Sequence, residues 1–167
     1  MNKWILLVAT ILFSYSIAFG ANDFLEHEKD NPADLVAGVD AWSKGNYILT
    51  HDLLKPLSIE GNSVAQYIIG LMYFRGKVVE KDYKQSIKLM NLSAEQGYFL
   101  AEHKLGSIYS GSLLGEPDYR KAIKWFRLAS GQGYAPSQYF LATLYEKGDG
   151  IKQDYTRAHM WFSLASE

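Results

Sequence analysis

The chain has no cysteine among its 167 residues. Disulfides, thiol nucleophiles and cysteine-ligated metal centres are excluded, and the fold must be held by packing alone. It lacks an excess of either charge. Lys plus Arg number 17 against 18 Asp plus Glu, a formal net charge of −1, which gives no electrostatic case for nucleic acid or an anionic membrane as partner. Short catalytic signatures are missing too: no Ser-x-x-Lys, no Gly-x-Ser-x-Gly and no phosphate-binding loop occurs. His27-Glu28 opens like a zinc-protease helix, but the position that needs the second histidine is Asn31. His51, His103 and His159 share no metal-binding helical spacing. No stretch sustains an alternation of period two, so no sheet is expected. Nothing calls for a cofactor, a metal or a catalytic residue.

There is a single long apolar run, residues 4–19, preceded by Lys3 and closed by Ala18-Phe19-Gly20. A positive start, an apolar middle and small residues at the exit form the pattern of a secretory signal peptide, with cleavage near Gly20. Its 16 residues fall short of the roughly 20 that span a bilayer. The protein is therefore expected to be periplasmic or secreted and free of the membrane after cleavage. No cysteine comes after the run, which excludes anchoring through a lipidated N-terminal cysteine. Residues 21–32 read as a polar leader.

Beyond residue 62 the chain repeats itself. Residues 63–98 are restated over 99–134 and 135–167, so that Tyr73, Tyr109 and Tyr145 stand 36 apart, as do Asp82, Asp118 and Asp154. A fixed period in this range marks a stacked-repeat architecture. Each unit reads as two helices. The first helices fall over 62–75, 98–110 and 134–147, and the second over 83–96, 119–132 and 155–166. Gly70 and Gly106, with Ala142 in the same column, lack bulk where a neighbouring helix comes close. Gly in a helix interior costs about 1 kcal/mol against Ala, so its return points to packing. The recurring Asp stands where a helix N-cap is needed. Spread one repeat apart, the three aspartates cannot converge on one substrate atom. Gln96-Gly97-Tyr98 and Gln132-Gly133-Tyr134 supply left-handed helix stops. Residues 33–62 form a degenerate first repeat: a helix over Ala33–Ser43, Asn46 as cap of a second helix from Tyr47, and Pro56 expected to end or bend that helix near Lys55.

Ala101, Leu105, Gly106 and Tyr109, joined in the last copy by Gly148, Gly150, Ile151, Asp154, Tyr155, Ala158, Trp161 and Ala165, resemble the Sel1-like repeat, a relative of the tetratricopeptide repeat. The resemblance covers residues 63–167 closely and 33–60 loosely. It departs where Gly150 becomes Val78 and Leu114, where Leu89 replaces Trp, and where His159 replaces Ile87 and Ile123. It implies an all-α fold, a right-handed α-α superhelix of about four antiparallel helix pairs whose first helices line a concave, partner-binding side. It further implies an adaptor binding another protein or a peptide. An envelope hydrolase acting on peptidoglycan or β-lactams is the alternative. The cysteine-rich members associated with penicillin hydrolysis rely on a disulfide in each repeat, which this chain cannot form.

Structural demands recur at each copy, so columns that vary are those the scaffold leaves unfixed. On the first helices these hold Ile68, Lys104 and Phe140; Leu71, Ser107 and Thr143; and Phe74, Ser110 and Glu146. Ile68, Leu71 and Phe74 are the leading partner contacts, because large apolar groups at unconstrained positions mark interfaces; packing against the first repeat is the alternative. His103 and His159 occupy columns of Tyr or Ile and read as packing or rim residues, not ligands. The last helix ends still carrying Trp161, Phe162 and Leu164, which makes self-association through it a further expectation.

Overall fold

The computed structural model describes residues 33–166. The signal peptide expected over 1–20 and the leader over 21–32 lie outside the described residues. Eight helices and no strand are found among those described: α1 (Ala33–Ser43), α2 (Tyr47–Glu60), α3 (Ser63–Arg75), α4 (Tyr83–Glu95), α5 (Phe99–Ser110), α6 (Tyr119–Gly131), α7 (Ala135–Lys147) and α8 (Tyr155–Leu164). None is long and apolar enough to cross a membrane. The chain divides into two packing units at residue 86, inside α4.

The same local chemistry sets each helix pair. Asp82, Asp118 and Asp154 each accept a bond at Oδ1 from the backbone N–H three residues on, at 2.9, 3.0 and 2.9 Å. Each also donates its own backbone N–H to the carbonyl of the tyrosine nine residues back, Tyr73, Tyr109 or Tyr145, at 3.0, 2.8 and 2.9 Å. One residue thus caps the second helix and ties the loop to the end of the first, satisfying groups left open at both helix ends. Asn46 and Asn62 cap α2 and α3 in the same way. Gly97 and Gly133, at φ of 84° and 85°, turn the chain at the left-handed stops.

In the first unit α1, α2 and α3 enclose Leu35, Val39, Leu54, Val64, Ile68, Ile69 and Met72. Helix α2 runs to Glu60 with Pro56 inside it, so it does not end near Lys55, one of the two outcomes expected there. Pro56 and Asp52, the residue whose carbonyl loses its donor, are both exposed, so water can serve that carbonyl. Gly61 closes the helix in the left-handed conformation and donates to Leu57 O. Gly38 is the first repeat's counterpart of Gly106. It stands 16 residues before Leu54, whereas Gly106 stands 20 before Phe126, because the first loop is four residues shorter. A Cβ on Gly38 would overlap the Leu54 side chain. A cation 18 residues upstream reaches the column tyrosine, Lys55 Nζ donating to Tyr73 Oη at 3.2 Å.

The second unit has its core in Ala122, Ile123, Phe126, Leu141, Leu144, Tyr145 and Ala158. Gly106 is packed so closely that a Cβ there would lie 2.7 Å from the Phe126 ring. Arg127 repeats the role of Lys55, donating to Tyr145 Oη at 2.9 Å. Burial alone would raise the Tyr145 phenol pKa, but the hydrogen bonds and charge of Arg127 and Arg157 outweigh it and hold the phenol below its ordinary value.

The loops differ where the column glycine is lost. Gly150 has φ 68°, and Val78 takes the same left-handed conformation at φ 67° without being a glycine. The loop over 111–118 avoids the strain by moving its positive φ to Gly115, at 104°. Val78 is exposed, so its side chain contributes little packing to offset a left-handed penalty of about 1–2 kcal/mol. Val78→Gly should stabilise the protein by about 1 kcal/mol in urea denaturation, less whatever unfolded-state entropy glycine adds; a loss of stability would contradict the strain. Gly106→Ala should destabilise by about 1–3 kcal/mol through overpacking, opposite in sign to the gain of about 1 kcal/mol that helix propensity alone predicts.

Candidate functional site

The varying columns of the first helices do not share one fate. Ile68 and Leu71 are buried, at 0 % and 5 % exposure, which corrects their assignment as leading partner contacts. Helix α3 is apolar nearly all round and every residue from 63 to 72 is buried; such a helix belongs to a core. Phe74 is half-buried, its ring edge-on to Tyr83 at 5.4 Å. In the second unit the same columns reach the surface. Phe140 is exposed, and Lys104, Ser107 and Thr143 are half-buried. Ser107 and Thr143 return their hydroxyls to the carbonyls four residues back, His103 and Tyr139, at 3.0 Å each, so their methylene and methyl groups, not their O–H, are the free feature.

Helices α5 and α7 meet through aromatic rings and one hydrogen bond, and much of this is not evident from the sequence. Phe126, fully buried against Gly106, stacks on Phe140 with ring centroids 5.2 Å apart and planes 4° from parallel. His103 sits among Phe126, Tyr134 and Phe140 at 5.6, 5.1 and 5.7 Å. Its Nδ1 lies 2.8 Å from Ser137 Oγ. Phe140 meets Tyr139 edge-on, and Tyr139 meets Phe162 of α8 at 5.4 Å. The outcome is a strip, buried at Phe126 and open at Phe140 and Tyr139, which are 41 % and 56 % exposed. Offset and edge-on ring pairs of this kind contribute about 0.5–1.5 kcal/mol each beyond their burial. The one sequence signal is that His103 shares the column of Tyr67 and Tyr139, which marks an aromatic position without revealing which copies are open.

Burial, then the neighbouring Lys104 charge, lower the His103 pKa to about 4. The imidazole is neutral at pH 7 and the strip carries no charge of its own there. Glu102, in the column of Gln66 and Gln138, is 2 % exposed and accepts from Gln132 Nε2 at 2.9 Å; the same nitrogen donates to Gly97 O at 3.0 Å. This polar bridge fastens the turn before α5 to the turn after α6. His51 lies 3.6 Å from Asp52 and His159 is exposed. Among the described residues no group of three His, Asp or Glu is placed to hold a metal.

The histidine gives a pH signature. Its folded pKa lies below the unfolded value of 6.5, so the neutral form is favoured by folding. The associated stability is complete above pH 6.5 and is lost as pH falls towards 4, because the unfolded chain takes up a proton that the folded one refuses. Allowing for the ring's partial exposure, the loss should be on the order of 2 kcal/mol. It should appear as a steeper fall in urea midpoint between pH 6.5 and 4 for the natural protein than for His103→Gln; parallel curves would contradict the assignment.

Comparison with known proteins agrees with this architecture. The family model described as "Sel1 repeat" matches residues 63–98, 100–134 and 135–167. No curated protein matches the chain. Among solved structures, the chain is similar to a Sel1 repeat protein from Oxalobacter formigenes, at 29% identity and TM-score 0.64, over 70% of this chain and 89% of that one. It is also similar to c5321, described as a protective antigen present in uropathogenic Escherichia coli strains displaying an SLR fold, at 31% identity and TM-score 0.69. That likeness covers 78% of this chain and 29% of c5321, so this chain spans less than a third of its relative. Sel1 repeat proteins are commonly helical scaffolds for protein interaction, typically without catalysis. Capping aspartates at a 36-residue period, the close approach of Gly106 to Phe126, and three matched repeats together show that the chain belongs to the Sel1 repeat family of all-α helical-repeat proteins.

Proposed function

We propose that this protein is a non-catalytic adaptor of the bacterial envelope or secreted space, and that it binds a peptide or protein segment along the α5–α7 strip. The observation that carries the reading is the exposure of Tyr139 and Phe140 at 56 % and 41 % while buried Phe126 holds Phe140 from beneath. Rigid, partly exposed aromatic rings lose little entropy on binding and dominate interface energies. Lys104 and the aliphatic parts of Ser107 and Thr143 would border the bound segment. Export rests on the apolar run over 4–19 and the small residues before Ala21. Exposed Met160 and Leu164, one turn apart on α8, support self-association through that helix; light scattering at high concentration would show it as a dimer, and a clean monomer would remove it.

Peptides selected by display against the full chain test the binding reading. Tyr139→Ser with Phe140→Ser should weaken the selected peptides by about 10-fold or more, with helical circular dichroism unchanged. Undiminished binding by the folded double variant would show that the strip is not the site.

A further inference from the structure

Helix α6 carries Arg120, Lys121, Lys124 and Arg127 and no acidic residue. At 100° per residue, Arg120, Lys124 and Arg127 fall on one stripe, about 10 Å long over two turns. All three are exposed. Of the cations beside it, Lys121 pairs with Asp118 at 3.0 Å and Arg157 with Asp154 at 3.4 Å. The stripe has no such pairs. Arg127 donates to Tyr145 Oη and Lys124 lies over the Trp125 ring at 4.9 Å, but none of the three has a carboxylate partner among the described residues. A merely solvated helix face gains by interleaving Glu and Lys one turn apart, since like charges at that spacing repel. Here the repulsion is left standing. Arg120, Ile123 and Arg127 also border a shallow, open depression with Gly150 and Ile151 of the next loop.

We propose that this stripe docks an acidic peptide segment of a partner protein, with carboxylates spaced three and four residues apart. The Arg120 guanidinium fork, the Arg127 N–H groups not given to Tyr145 and the Lys124 ammonium offer charge-assisted hydrogen bonds matched to carboxylates. A short peptide fits better than an extended polyanion. The stripe is two turns long, and the chain's net charge of −1 supplies no long-range pull on a membrane or nucleic acid. Leu128, 45 % exposed beside the stripe, adds an apolar contact that a protein segment can use. The stripe lies on a different helix from the α5–α7 strip and does not depend on it.

Fluorescence anisotropy with the full chain decides, using a labelled three-turn peptide with glutamates three and four residues apart and a leucine beside them. Phosphatidylglycerol vesicles and a single-stranded oligonucleotide are run alongside. The peptide should bind saturably and more weakly as salt rises. Arg120→Gln with Lys124→Gln should lose at least ~10-fold in affinity with circular dichroism unchanged, and Lys147→Gln should bind as the natural protein does. Arg120→Gln alone, at a side chain with no ion pair among the described residues, should lose part of the affinity. Absence of peptide binding, equal binding by the folded double variant, or tighter binding of vesicles or oligonucleotide than of peptide would each overturn the proposal.

Discussion

The structure of the second unit turns on a missing methyl group. Because Gly106 has no Cβ, the Phe126 ring can lie against the α5 backbone, where a Cβ would come within 2.7 Å of it. That placement lets Phe126 stack flat under Phe140, and Phe140 in turn brings His103 and Tyr139 into ring contact. Gly38 and Leu54 repeat the arrangement in the first unit. One backbone close approach thus acts twice, as the packing contact within a helix pair and, in the second unit, as the support of a surface. In a core packed to crystal density such a contact has no slack to absorb added volume.

Around that contact the polar chemistry is local and recurrent. The capping aspartates close the loops with the same two hydrogen bonds in each copy, and the column tyrosines Tyr73 and Tyr145 each take a hydrogen bond from an upstream cation. Polar groups that are satisfied in this way hold each pair in one register. The surface is then free to vary, as the contrast between buried Ile68 and exposed Phe140 in one column shows.

Much of this was legible in the sequence because repetition separates what the scaffold needs from what it tolerates. The period located the capping aspartates, the glycine stops and the ends of the later helices within a residue or two. Gly38 escapes the 36-residue period because a shorter loop shifts it four residues out of register with Gly106. Pro56 misled because a helix breaker on an exposed face can be carried by a helix that is buried on the other. Ile68 and Leu71 misled for a deeper reason: a column varies when nothing fixes it and also when one copy has been drafted into a core the others lack. The aromatic strip was hidden because packing and display use the same residues, and only burial tells them apart.

The dependence of the strip on Gly106 can be read at His103. Its pKa of about 4 is set first by burial, and Phe126 forms one wall of its pocket. A pH titration of the His103 ring by NMR, in the natural protein and in Gly106→Ala, measures whether Phe126 is placed by the missing methyl. A low pKa in the natural protein that rises towards the ordinary histidine value of 6.5 in the variant is the predicted result. The same low pKa in both would show that the ring cluster stands without the close approach.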